Sequence, residues 1–96
     1  MELFFDPKSV VVIGASNSPF NLGATICNML KDYLSYTGAV YAVNSKGEMV
    51  NGCPGYSSVL ELPQAPDLAI IIIAAKNVPG VIHDCAKKGI KRIIIE

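Results

Sequence analysis

The sequence predicts an α/β fold, a parallel β-sheet with helices on both faces. Three observations predict it. The runs Val10–Ile13, Ala39–Val43 and Leu68–Ile73 are apolar almost throughout, without the alternation of a sheet that keeps one face wet. Between them lie segments whose apolar residues recur at helical spacing. The first run also breaks at Gly14 into a small polar loop and then a helical pattern, the strand–turn–helix order of a parallel crossover unit.

The elements follow in order. Val10–Ile13 is a short buried strand. Leu22, Ile26, Met29, Leu30, Tyr33 and Leu34 mark one face of a first helix, which Gly38 stops. Ala39–Val43 is a second strand. The stretch from Asn44 to Gly55 is rich in Gly, Asn, Ser and Pro and reads as loop, with a short extended piece around Cys53–Tyr56. Ser57–Leu62 suits one helical turn before the break at Pro63–Pro66, and Leu68–Ile73 is a third strand. Val78, Val81, Ile82, Cys85 and Ala86 mark a second helix that Gly89 ends, and Ile93–Ile95 begins a last strand. With right-handed crossovers, this order makes a Rossmann-like sheet. Glu96 closes directly on a strand-like run. The expectation is therefore one domain over residues 1–96, an N-terminal fragment of a longer protein truncated at its C-terminal end.

Composition narrows the function. Of 96 residues, 51% are hydrophobic and 17% charged, which excludes a disordered chain. The formal charge is zero and no basic cluster interleaves with aromatics, so nucleic acid is a poor partner. The longest apolar run, Leu68 to Ala75, suits a buried strand and is too short to span a membrane. The start, Met1 to Pro7, lacks the basic and apolar regions of a secretory signal. Cys27, Cys53 and Cys85 are widely spaced with no C-x-x-C pair, which fits reduced thiols in a cytoplasmic protein and no metal site. His83, beside Asp84 on the second helix, reads as a surface residue. No nucleophile–base arrangement or carboxylate pair stands out, so no catalytic residue is expected.

The informative stretch runs from Ser9 to Gly23. A strand that ends in a glycine loop and enters a helix leaves backbone N–H groups facing the crevice above a parallel sheet, a place suited to phosphate; the alternative is an ordinary strand-to-helix connection rich in turn formers. The dinucleotide fingerprint G-x-G-x-x-G is absent: Ser16 stands at the second glycine position and the next glycine is Gly23. Gly14 supplies the tight turn, and Gly23 lets the first helix approach the ligand or the sheet. Ser16, Asn17, Ser18 and Asn21 add hydrogen-bonding groups. The second strand ends in Asn44-Ser45-Lys46, where a carboxylate would ordinarily hold a ribose diol. A lysine there favours a phosphorylated ribose, as in NADP or coenzyme A, unless it is a solvated loop lysine.

Phe5 to Ser16, followed by Pro19 and Gly23, resembles the opening of the CoA-binding domain of NDP-forming acyl-CoA synthetases and of the succinyl-CoA synthetase alpha subunit. The resemblance continues through Val40–Lys46, Gly52, Tyr56–Val59, Leu62-Pro63, Pro66–Ala69, Val78-Pro79 and Gly89–Lys91, nearly the whole chain. It implies a Rossmann-like domain that binds CoA or acyl-CoA, with Gly14, Ala15, Ser16, Asn17, Ser18, Pro19 and Gly23 around the phosphates. It also implies Val43, Asn44 and Lys46 near the phosphorylated ribose and adenine. Backbone at Ala74 and Ala75 would line the path of the nucleotide and its pantetheine arm. Ser45 departs from the family's usual proline, and Ile73-Ala74-Ala75 departs from its usual Val-Pro-Ala turn. The resemblance also implies that the acyl-phosphate and phosphohistidine chemistry of that family, and its ATP or GTP site, belong to histidine-loop and ATP-grasp domains outside residues 1–96, in the same or a partner chain. The alternatives are a free-standing or regulatory CoA-binding protein and an NADP-binding oxidoreductase domain. Ser16 argues against the latter, because its side chain crowds the close approach of a pyrophosphate.

Overall fold

A computed structural model describes residues 9–18, 21–33 and 39–95. In it, β1 (Ser9–Ile13), α1 (Leu22–Tyr33), β2 (Ala39–Val43), β3 (Gly55–Tyr56), β4 (Leu68–Ile71), α2 (Val78–Lys88) and β5 (Arg92–Ile95) follow in order. Single 3-10 turns at Val59–Glu61 and Ala75–Asn77 precede β4 and α2. The five strands form one parallel sheet in the order β3-β2-β1-β4-β5. Leu34, the helix stop at Gly38 and Pro19 of the loop fall outside the described residues.

The apolar strands are buried on both sides, and for that reason they do not alternate. Val10, Val12, Val40, Ala42, Leu68 and Ile70 face one layer, where Cys27 of α1 packs with Val50 and Cys53. Val11, Ile13, Tyr41, Val43, Ala69 and Ile71 face the other, with Cys85 of α2 and with Val59, Leu62 and Ile90. Each fully buried Val, Leu or Ile contributes about 1.5–3 kcal/mol relative to exposure. β5 is less covered and leaves Ile94 and Ile95 exposed. No helix among the described residues is long and apolar enough to cross a membrane.

Four boundaries differ from the sequence reading, the first being the start of β1 at Ser9 rather than Val10. The extended piece near Cys53–Tyr56 is a two-residue edge strand, so the sheet has five strands. It is held by Ala42 N–H donating to the Pro54 carbonyl (2.8 Å) and Asn44 N–H donating to that of Tyr56 (3.0 Å). The third long strand stops at Ile71 rather than Ile73: Ile72 N–H still reaches the Ile13 carbonyl (2.8 Å), but the chain then leaves the ladder. The last strand begins one residue early, at Arg92, paired with Leu68. The helical turn expected at Ser57–Leu62 is the 3-10 turn, capped by the Ser58 hydroxyl accepting from Leu60 N–H. Gly89 ends α2, its N–H donating to the carbonyls of Cys85 and Ala86.

Candidate functional site: two loops above the carboxyl ends of the strands

β1 lies between β2 and β4, and the connections from β1 and β4 leave on opposite faces of the sheet. A crevice opens outside the carboxyl ends of the strands at such a reversal, and ligands bind there. Gly14 sits at its base. Its N–H donates to the Val43 carbonyl at 2.8 Å, and its φ of 106° lies in the region that favours glycine. A Cβ at this position would overlap the carbonyl oxygen of Ile72. The loop is thus wedged between the ends of β2 and β4.

Beyond Gly14 the chain turns into α1 around one side chain. The Asn21 carboxamide oxygen accepts from Ala24 N–H (2.8 Å), an N-cap bond, and from Ser16 N–H (3.1 Å). Its amide nitrogen donates to the Gly14 carbonyl (3.3 Å). Gly23 then brings α1 onto the loop itself, since a Cβ there would lie 2.6 Å from Ala15 Cα. At Gly23 the helix rests on the backbone of Ala15, just past the end of β1. The first turn of α1 carries no acidic residue, so its N-terminal dipole remains favourable to an anion.

The second loop is built on Asn44. Its carboxamide oxygen accepts from Lys46 N–H (3.1 Å) and Glu48 N–H (2.9 Å), and its amide nitrogen donates to the Glu48 carbonyl (2.9 Å). Asn17 joins the loops, donating from Nδ2 to the Met49 carbonyl (3.0 Å). Farther from the crevice, the turn at Asn51 docks on α1. Asn51 Nδ2 donates to the Ala24 carbonyl (2.8 Å), and Lys31 donates to the Asn51 carbonyl (2.6 Å).

Two adjoining clefts result. The polar one, about 360 Å³, is lined by Ser16, Asn17, Ser18, Asn44, Ser45, Lys46 and Glu48. The other, about 300 Å³, has apolar walls from Ile13, Val43, Ile73 and Val81 and shares Ser16, Asn44 and Ser45 with the first; Gly14 and Ser57 complete it. Among the described residues, neither the Lys46 ammonium nor the Glu48 carboxylate makes a hydrogen bond or ion pair.

The structure brings Gly14, Ser16, Asn17, Ser18, Val43, Asn44 and Lys46 to these clefts. Ala15 and Gly23 are buried beneath the loop, and Ala74 and Ala75 lie past the end of β4, outside both linings. Sequence reasoning missed Ile13, Ser45, Glu48, Ser57, Ile73 and Val81 as lining residues. Ser45 stood beside two chosen positions, whereas Val81 reaches the cleft only because α2 packs across the sheet. Glu48 had one local signal, an asparagine four residues before it able to fold the loop back. His83 is exposed on α2, as expected. All three cysteines are buried and free. Burial, with Cys53 alongside, pushes the Cys27 thiol up to about 12, and burial raises Cys53 and Cys85 as well. They are core residues with little thiolate at neutral pH. The clefts offer hydroxyls, amides, one ammonium and one carboxylate, a set suited to holding a phosphorylated, hydroxyl-bearing ligand.

Comparison with known proteins gives a consistent picture. A family model described as "CoA binding domain" matches residues 8–96. The alpha subunit of ADP-forming acetate–CoA ligase II from Pyrococcus furiosus is 42% identical over 95 residues, covering 99% of this chain and 20% of that subunit. Among solved structures, PH0766 from Pyrococcus horikoshii OT3 superposes with a TM-score of 0.83 at 43% identity, over 94% of this chain and 20% of the other. A conserved hypothetical protein from Pyrococcus furiosus superposes with a TM-score of 0.75 at 29% identity, over 93% of this chain and 74% of the other. The chain thus spans about a fifth of the ligase subunit that it matches.

Proposed function

Because the chain belongs to the CoA binding domain family, we propose that it holds coenzyme A in the paired clefts above β1, as the N-terminal module of an ADP-forming acyl-CoA synthetase. The observation that carries this reading is the polar cleft, where the glycine loop at the head of α1 shares the lining with a lysine, Lys46. The diphosphate sits over the N-terminal end of α1, where backbone dipoles favour negative charge. The Lys46 ammonium takes the 3′-phosphate of the ribose. The recess walled by Ile13, Val43, Ile73 and Val81 suits the pantetheine arm, and the family resemblance puts the backbone of Ala74 and Ala75, next in the chain after Ile73, along that arm.

In ligases named for joining acetate to CoA, CoA is a substrate rather than a resident cofactor. This chain presents it. The acyl-phosphate and nucleotide chemistry fall to ATP-grasp and histidine-loop domains in the same or a partner chain, and acyl choice is made there too. We place the protein in the cytoplasm, which suits three reduced, buried thiols. A second reading, a free-standing CoA-binding protein without ligase activity, is favoured by one observation: the chain accounts for 74% of the small archaeal protein that it resembles.

Calorimetric titration of the chain with CoA, dephospho-CoA, NADP and NAD tests the proposal. CoA should bind, and loss of the 3′-phosphate should weaken it about tenfold, the scale of one charge-assisted hydrogen bond. Preference for NADP would make the domain part of an oxidoreductase. Silence from a folded sample with all four ligands would refute the site.

A further inference from the structure

The end of β2 carries Asn44, where a Rossmann-like site ordinarily places the acid that holds a ribose diol. The structure nonetheless puts an acidic residue, Glu48, in the lining of the polar cleft. Asn44 takes both backbone polar groups of Glu48, accepting from its N–H and donating to its carbonyl, and so folds the loop back. Glu48 thereby joins Lys46 in one cleft, and neither charge has a partner among the described residues.

A carboxylate is an acceptor only. Beside a bound phosphate it repels the ligand unless the ligand turns a donor toward it. A ribose phosphorylated on its 3′ oxygen has one such donor next to the phosphate, its 2′-hydroxyl. Resting on the CoA reading above, we infer that Glu48 is a specificity residue that accepts a hydrogen bond from the ribose 2′-hydroxyl while Lys46 holds the 3′-phosphate. The pair reads which ribose oxygen is phosphorylated. A 2′-phosphate, as in NADP, removes the donor and sets two anions against each other. Asn44 acts through Glu48 and Lys46, as a positioning residue.

The test crosses one substitution with one ligand change. Adenosine 3′,5′-bisphosphate and its 2′-deoxy analogue are titrated into the wild-type chain, Glu48→Ala and Glu48→Gln, with circular dichroism confirming the fold of each. The wild type should favour the ribonucleotide about tenfold, as expected for a hydrogen bond to a charged group. Glu48→Ala should lose that preference, and Glu48→Gln, which keeps a neutral acceptor, should retain part of it. Adenosine 2′,5′-bisphosphate should bind Glu48→Ala more tightly than the wild type. Binding of both 3′,5′-nucleotides with the same ratio in wild type and Glu48→Ala overturns this inference alone. Failure of both to bind the wild type overturns it together with the CoA reading.

Discussion

The two loops that frame the clefts are made by different means. The loop after β1 is shaped by backbone contact: Gly14 clears the Ile72 carbonyl and Gly23 clears Ala15, leaving no room for a Cβ at either point. The loop after β2 is shaped by a side chain, the Asn44 carboxamide, which engages Lys46 and Glu48 through three hydrogen bonds. Steric wedging between strand ends gives the first loop one shape, and changing it disturbs the sheet. A carboxamide holding an exposed loop can be removed with less damage to the core. The first loop should therefore couple binding to stability, while the second should separate them.

The largest expected effect is at Gly14. Replacement by alanine forces a Cβ toward the Ile72 carbonyl at φ 106°, adding backbone strain to overpacking. Destabilisation of about 3–4 kcal/mol is expected from those two sources, measured by urea unfolding. A Gly14→Ala domain as stable as wild type would break the proposed contrast.

Asn21→Ala comes next. It removes the cap of α1 and the partners of Ser16 N–H and the Gly14 carbonyl, and should cost about 2 kcal/mol. CoA affinity should fall with it, since the loop loses its shape.

In the second loop the effects should appear in binding rather than stability. Lys46→Ala should weaken CoA about tenfold by calorimetry and leave dephospho-CoA and the unfolding midpoint almost unchanged. Equal losses for both ligands would return Lys46 to the status of a solvated lysine. Asn44→Ala should cost about 1 kcal/mol in stability, because its loop is exposed, yet weaken CoA as much as Lys46→Ala does.

The smallest effect is common to the whole domain. The three thiols have folded-state values raised by burial, so their contribution to stability is complete below the ordinary thiol pKa of about 8.5. It is lost as pH rises toward the value of about 12 reached by Cys27. The thermal midpoint should be insensitive to these groups between pH 6 and 8, as rough bounds, and fall above about pH 9. Replacing Cys27 by alanine should flatten that alkaline decline.

Much of the fold was legible because its signals are local. Ala39–Val43 matched to the residue, and Gly89 marked the end of α2. β3 was legible only as an extended piece, because two residues carry no periodicity and their pairing depends on the Pro54 and Tyr56 carbonyls meeting the N–H groups of Ala42 and Asn44. Leu68–Ile73 read as too long a strand because an apolar run does not show where the partner strand ends. The polar cleft was legible through Ser16, Asn17, Ser18, Asn44 and Lys46. Asn21 and Asn44 were recognised as polar loop residues, but not as the side chains that build the loops.

By itself, then, the sequence determined the order of elements, the burial of the sheet on both faces and the glycine-loop helix start, since each rests on periodicity or on a residue's own backbone preference. Only the tertiary structure decided that Glu48 shares a cleft with Lys46, that Ile73 and Val81 wall the neighbouring recess, and that Gly23 serves the packing of α1 on Ala15. Those facts depend on which strand ends lie side by side and on hydrogen bonds between segments far apart in the chain, and no local pattern encodes either.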